Sequence, residues 1–232
     1  MRFILLFSLL QVFVLGCKPN GDNGGATQSA GMFDPTSIRE GTPVDTQATP
    51  FEGELIQTVS WVDLSGKNTL VISGKPAYPI DADMRRAELH VYAFVTPDDL
   101  PYPQWLLQEV VDSCYCDCAV ELAESPIPIH DVDKDGIAEV FLMYFLNDLC
   151  DASPMFTKLT VASGKNMYVL EGYTRRFLAP GLPGLKKISP GPTFSSAPSA
   201  IQQAAYMYWE EYLRKEEAAF EAFQNSGEQN KD

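Results

Sequence analysis

Residues 131–146 read DVDKDGIAEVFLMYFL, and this stretch determines how the rest of the chain is interpreted. Its second half, residues 140–146, is apolar at every position. Such a run is typical of a strand that is buried on both faces and is therefore central in its sheet. Around it, short runs rich in β-branched and aromatic residues alternate with turn residues. The sequence therefore predicts a mainly β protein, an antiparallel sheet or sandwich-like domain with a long C-terminal amphipathic helix.

The predicted strands lie within residues 51–176, which we expect to form the β-rich domain. They cover residues 55–63, 69–73, 87–95, 119–123, 139–146, 157–162 and 167–173. The letters Ser-Gly-Lys-Asn occur twice, at 65–68 and 163–166, each time between two such runs. Glycine and asparagine adopt positive φ at little cost, so both copies predict hairpin loops. A phosphate-binding loop is excluded because GxxxxGK[ST] is absent. Residues 104–111 (QWLLQEVV) fit either a helix or a strand.

The C-terminal part begins with a proline- and glycine-rich loop over residues 177–198. A helix is predicted for residues 199–224 and a disordered tail for residues 225–232. The apolar positions recur at helical spacing and form one stripe: Ile201, Ala204, Ala205, Tyr208, Trp209, Tyr212, Leu213, Ala219, Phe220 and Phe223. This stripe is either packed on the sheet or available to a partner or membrane.

The first seventeen residues, MRFILLFSLLQVFVLGC, indicate export. Arg2 precedes a short apolar run that is too short to span a membrane as an ordinary helix, so residues 1–16 are predicted to be a signal peptide. The segment 14–17 (VLGC) resembles the bacterial lipobox, which implies that Cys17 becomes the acylated first residue of a lipoprotein. Lys18 does not suggest retention at the inner membrane, so the outer membrane is the expected location. An ordinary secretory signal is the alternative.

Residues 17–50 contain mostly Gly, Pro, Thr, Ser, Asp and Asn and show no apolar periodicity. We therefore expect a lipidated cysteine followed by a flexible linker. The whole chain of 232 residues carries 17 Lys and Arg against 31 Asp and Glu, a formal charge of -14. Such a surface repels phosphate backbones, which argues against nucleic acid as a partner. It favours divalent cations.

The strongest chemical signal is the acidic loop that precedes the apolar run. Three carboxylates this close repel one another unless a cation lies among them, and hard divalent ions prefer oxygen ligands. The spacing predicts a structural Ca²⁺ site in which Ile137 offers its carbonyl; the ligand residues are Asp131, Asp133, Asp135, Ile137 and Glu139. Gly136 permits the sharp turn. Leu142 stands where an EF-hand would place glutamate, which excludes that motif. An acidic turn without an ion, or one with another metal, remains the alternative.

This loop resembles the DxDxDGxxD loops of FG-GAP repeats, in which the ninth-position acid closes the site. Glu139 replaces the aspartate of that pattern. More widely, residues 129–144 together with Trp61-Val-Asp-Leu-Ser-Gly-Lys-Asn and the hairpin ending in Glu171-Gly172 resemble a family of exported bacterial proteins loosely labelled surface-polysaccharide biosynthesis proteins. The resemblance spans roughly residues 54–174. It implies a role in the cell envelope but names no reaction.

Four cysteines besides Cys17 are candidates for disulfides in an exported chain: Cys114, Cys116, Cys118 and Cys150. Residues two apart on an extended strand are about 6.6 Å apart, too far for a disulfide, so any bond within residues 114–118 requires a bend. We expect Cys150 to pair with one of the other three. A four-thiolate zinc site is the alternative.

No catalytic motif such as GxSxG, HExxH or GxGxxG is present. The sequence therefore favours a membrane-anchored cell-envelope lipoprotein with a structural calcium site that acts as a binding or scaffold module for an envelope glycan or protein. The alternative is an enzyme that acts on envelope polysaccharides through paired carboxylates. A third hypothesis is an oligomeric structural protein that displays its C-terminal helix.

Overall fold

The computed structural model describes residues 32–97, 99–116, 118–148, 155–174 and 188–228. Its eleven strands are β1 (Arg39–Glu40), β2 (Glu54–Asp63), β3 (Gly66–Pro79), β4 (Arg85–Thr96), β5 (Tyr102–Cys114), β6 (Ala119–Leu122), β7 (Ile129–His130), β8 (Glu139–Asn147), β9 (Met155–Ser163), β10 (Asn166–Thr174) and β11 (Ser189–Pro190). One long helix, α1 (Ser199–Glu228), follows them.

The strands form two antiparallel sheets. The first sheet has the order β1-β2-β3-β4-β5, and the second has the order β11-β10-β9-β8-β6, with β7 also paired to β8. The mainly β prediction with a C-terminal helix is therefore confirmed. Each of the seven predicted strands corresponds to an observed one, although β3 is much longer than expected. Residues 104–111, which fit either a helix or a strand, belong to β5.

Strand β8 connects both parts of the core, as its apolar sequence predicts. Its even-numbered residues, among them Leu142 and Tyr144, pack between the sheets against β2, β3 and β4. Its odd-numbered residues, among them Phe141 and Phe145, face the helix. The pleat sends successive side chains to opposite faces, so a strand covered on both sides must be apolar at every position.

Helix α1 packs on the outer face of the second sheet. Ile201, Ala205 and Trp209 are each at most 1% exposed and belong to the same apolar cluster as Phe141 and Phe145. The predicted stripe is buried only in its first half, however. Ala219 is exposed, because the helix continues past the residues that the sheet can cover. The side chains of Phe220 and Phe223 lie outside the described part.

The end of the interval expected as a linker, residues 17–50, is structured. After a 3-10 turn at Pro35–Ser37, strand β1 pairs with β2. Thr42 then accepts a hydrogen bond on its carbonyl from the Thr58 hydroxyl at 2.7 Å, and Thr49 is buried. Backbone pairing and threonine hydroxyls hold this stretch to the sheet. Neither interaction requires apolar residues at regular spacing, so the sequence pattern did not predict this structure. Residues 17–31 lie outside the described residues.

Both Ser-Gly-Lys-Asn segments lie at hairpins, as predicted, but in different registers. The β2–β3 hairpin closes with Asp63 opposite Gly66, whereas the β9–β10 hairpin closes with Ser163 opposite Asn166. The serine of the segment therefore lies within the turn of the β2–β3 hairpin, whereas in the β9–β10 hairpin it is the last strand residue before the turn.

Candidate metal site

The acidic loop connects β7 to β8 at the edge of the second sheet. Two of its residues have positive φ, Lys134 at 62° and Gly136 at 89°. These left-handed residues reverse the chain within a few positions, and glycine does so at the lowest cost. The loop is therefore short enough to bring residues on either side of the reversal, Asp131 and Glu139 among them, close together.

Backbone amides hold the aspartates of the loop in place. The Gly136 N–H donates to Asp131 Oδ2 at 3.1 Å, and the Ile137 N–H donates to Asp135 Oδ1 at 2.8 Å. The Asp135 N–H also donates to Asp133 Oδ1, at 3.3 Å. Each aspartate thus closes a local turn with one oxygen. The other oxygens of Asp131 and Asp133 make none of these bonds.

Three of the five predicted ligand residues bring oxygens together. One carboxylate oxygen each from Asp131, Asp133 and Glu139 lies within 4.8 Å of the other two. Oδ1 of Asp131 is buried and has no hydrogen-bond partner in the described part of the chain. Asp135 is exposed and does not belong to this trio, and Ile137 lies two residues before Glu139 in the same loop. A buried carboxylate oxygen without a hydrogen-bond partner is suited to act as a ligand of a cation.

Glu139 is the most deeply buried acid of the loop, with 0% exposure. Its two oxygens accept hydrogen bonds from the Val132 N–H at 2.8 Å and from the Ser163 hydroxyl at 2.9 Å. Burial nevertheless raises the pKa of Glu139 to about 7. The pKa of Asp133 is also raised, first by burial and then by the charge of Asp135. A divalent cation would reverse both shifts, and an all-oxygen donor set suits Ca²⁺ better than zinc.

The loop is also tied to the first sheet through Asp63 at the end of β2. Asp63 Oδ2 accepts from the Ala138 N–H at 3.2 Å and from the Trp61 indole N–H at 2.9 Å. The Leu64 N–H donates to the Gly136 carbonyl at 2.9 Å. Sequence reasoning did not identify Asp63 as part of this site. Its only sequence signal was its place in the WVDLSGKN segment.

The cysteines 114–118 contain one disulfide, between Cys114 and Cys118, with Cα atoms 5.9 Å apart. The required bend is present: Ser113 has a φ of 61°, and the Cys118 N–H donates to the Cys116 carbonyl at 3.0 Å. Oxidation of these two thiols is incompatible with a four-thiolate zinc site. Cys116 is also disulfide-bonded. Cys150 lies outside the described residues, so its pairing remains a prediction, with Cys116 as the candidate partner.

A lateral cleft of about 710 Å³ opens between the edge of β2 and β6. Its walls include the apolar side chains of Leu89 and Leu122. The side-chain nitrogen of Gln57, which also lines it, is buried and has no partner in the described part of the chain. Three acidic residues, Glu40, Glu121 and Glu124, line the cleft as well. An apolar cleft with a few polar groups is the usual form of a ligand site.

Comparison with known proteins gives no relative: no family model, curated protein or solved structure matches the chain. The family resemblance and the acylation of Cys17, which lies outside the described residues, therefore stay predictions. Within the described residues, no helix has the length and apolarity needed to cross a membrane.

Proposed function

We propose that this protein is a membrane-anchored cell-envelope lipoprotein whose β domain carries a structural Ca²⁺ and acts as a binding or scaffold module. The observation that carries the proposal is that one carboxylate oxygen each from Asp131, Asp133 and Glu139 lies within 4.8 Å of the other two, while Oδ1 of Asp131 is buried without a hydrogen-bond partner in the described residues. Calcium would stabilise the fold by binding the native loop in preference to the unfolded chain.

The role of the ion would be structural because the loop joins the two sheets. Its backbone bonds to Asp63 and Leu64 of the β2–β3 hairpin, so an ordered loop holds that hairpin against β8. Without the ion, three acids would repel one another at this junction. The lateral cleft lies along the same β2 edge, and we propose it as the place where a glycan or protein partner binds.

The anchor is tested by replacing the predicted acylated residue. Cys17→Ser is expected to leave an unprocessed precursor without acyl chains, because no thiol is available for the thioether. Mass spectrometry and membrane fractionation of cells producing the full chain measure this. Lys18→Ala, one position further on, is the matched control and should be processed and anchored normally. A mature, membrane-bound Cys17→Ser protein would show that the anchor prediction is wrong.

A second candidate function is an enzyme that acts on envelope polysaccharides, and the lateral cleft is the observation that favours it. Glu40 of β1 and Glu121 of β6 line it and do not belong to the metal loop, and paired carboxylates are the catalytic groups of most glycosidases. The enzyme hypothesis predicts that envelope polysaccharide incubated with the full chain releases reducing ends. It also predicts that Glu121→Gln abolishes the release, whereas Glu54→Gln on the exposed surface does not. A binding module would retain the polysaccharide without cleaving it.

A further inference from the structure

Strand β5 forms one end of the first sheet and presents an open edge. It pairs with β4 on one side. In the described part of the chain, no backbone group outside β4 hydrogen-bonds to it. One side chain contacts its backbone: the Cys118 Sγ donates a weak hydrogen bond to the Val111 carbonyl oxygen at 3.9 Å. An unpaired strand edge is a template for another strand, and natural proteins protect such edges.

Gln108 is the central residue of the part of β5 that pairs with β4 without a register shift. Residues 105–111 pair with β4 without interruption, and the register shifts just before and just after them. The stretch therefore consists of three residues on either side of Gln108. Two antiparallel copies of such a stretch match residue for residue when a twofold axis passes through Gln108.

Two of the usual protections against pairing, basic side chains and proline, are missing from this stretch. It contains neither lysine, arginine nor proline. Its one acid, Glu109, is bound by the Lys158 ammonium at 3.1 Å and by the Tyr144 hydroxyl at 2.8 Å. Just beyond it, Asp112 is held by two hydrogen bonds from Arg86, at 3.0 and 2.7 Å. The charges near the edge are therefore neutralised within the same chain.

The outer face of the same stretch is apolar on both sides of the axis. Leu106 is 47% exposed and Val110 is 36% exposed, with the exposed Gln108 between them. In the antiparallel register centred on Gln108, Leu106 lies opposite Val110 of the partner subunit. Gln108 then lies opposite its own copy, where two amide groups can hydrogen-bond. Cross-strand apolar pairs of this kind stabilise a sheet.

We propose that β5 is a self-association edge: two copies of this chain pair their β5 strands antiparallel about a twofold axis at Gln108, which joins their first sheets into one continuous sheet. The second copy is the occupant that fits, because the register, the apolar pair and the neutralised charges are all self-complementary. The contact is a short one, and each chain carries a net charge of -14, so the association is reversible and is strengthened by salt.

A charge-swap experiment tests the pairing. Gln108→Lys and Gln108→Glu each place two like charges opposite one another on the axis and should weaken dimerisation at least about tenfold. An equimolar mixture of the two variants places opposite charges there and should restore association. Sedimentation equilibrium of the full chain in density-matched detergent measures the mass against concentration. Gln203→Lys and Gln203→Glu, on the exposed side of α1, are the matched controls and should associate like the wild type.

Hydrogen exchange of the unmodified chain provides a second measurement that does not depend on the variants. Backbone amides of residues 105–111 that point away from β4 should exchange more slowly as the protein concentration rises. The proposal is overturned if these amides exchange at the same rate at all concentrations. It is also overturned if the wild type remains monomeric, if the single variants associate like the wild type, or if their mixture stays monomeric.

Discussion

Asp133→Asn is expected to lower the melting temperature relative to the wild type in calcium and to raise it in EDTA. With calcium at about a thousand times its dissociation constant, the ion contributes about 4 kcal/mol to the wild type, or about 8–16 °C in melting temperature. The variant lacks one charged ligand and should lose almost all of this increase. In EDTA the variant should melt above the wild type, because burial and the charges of Asp135 and Asp131 disfavour the ionised form of Asp133.

Thermal unfolding of the full chain in calcium and in EDTA measures both effects. Asp83→Asn is the matched control, since it removes the same charge from an exposed position in the β3–β4 connection. It should leave the calcium-dependent increase intact. An Asp133→Asn protein that keeps the full response to EDTA would rule out the metal site. Magnesium at the same concentration should give a smaller increase, since its strict octahedral geometry fits a flexible loop less well.

The calcium-free protein is expected to lose stability as the pH rises from about 4.5 to about 7, and Glu139 is the cause. Burial raises the pKa of Glu139 from 4.5 to about 7 in the folded chain. Below pH 4.5 the carboxyl is protonated in both states and costs nothing. Above pH 7 it is ionised in both states, and burying the charged carboxylate lowers the free energy of unfolding by its full amount. Allowing for screening of the loop by water, this cost is about 2 kcal/mol, or about 4–8 °C.

Glu139→Gln removes this titration and isolates its contribution. In EDTA, the difference in melting temperature between the variant and the wild type should grow with pH across this window in favour of the variant. Glu54→Gln, on the exposed start of β2, is the control and should show no such trend. With calcium present the trend of the wild type should be reversed, because the ion requires the ionised carboxylate. A constant difference between Glu139→Gln and wild type in EDTA would contradict the predicted burial cost.

Strand positions were predictable because they depend on local periodicity. Residues 140–146 are apolar throughout, and the pleat alone requires such a strand to be covered on both faces. The two Ser-Gly-Lys-Asn segments mark the limit of this reasoning. Both lie at hairpins, yet the turn residues are Leu64 and Ser65 in one and Gly164 and Lys165 in the other. The pairing register depends on which residues of the flanking strands face the core, so two identical tetrapeptides can lie in different registers.

The helix shows a similar limit. Its apolar stripe runs from Ile201 to Phe223 in the sequence, and periodicity predicts one face without saying how much of it a sheet can reach. The structure buries Tyr212 at 8% exposure and leaves Ala219 exposed. The length of the second sheet, set by strands distant in sequence, decides where the buried part ends.

The amino-acid sequence by itself determined the β class, the central strand, the hairpins and the spacing of acids that predicts an ion-binding loop, because each of these depends on residues within a few positions of one another. The tertiary structure alone decided that Glu139 is fully buried, that Asp131 keeps an unpaired oxygen, and that Asp63 holds the loop from 75 residues away. These features depend on how two sheets pack, and contacts between distant segments leave no periodic trace in the chain.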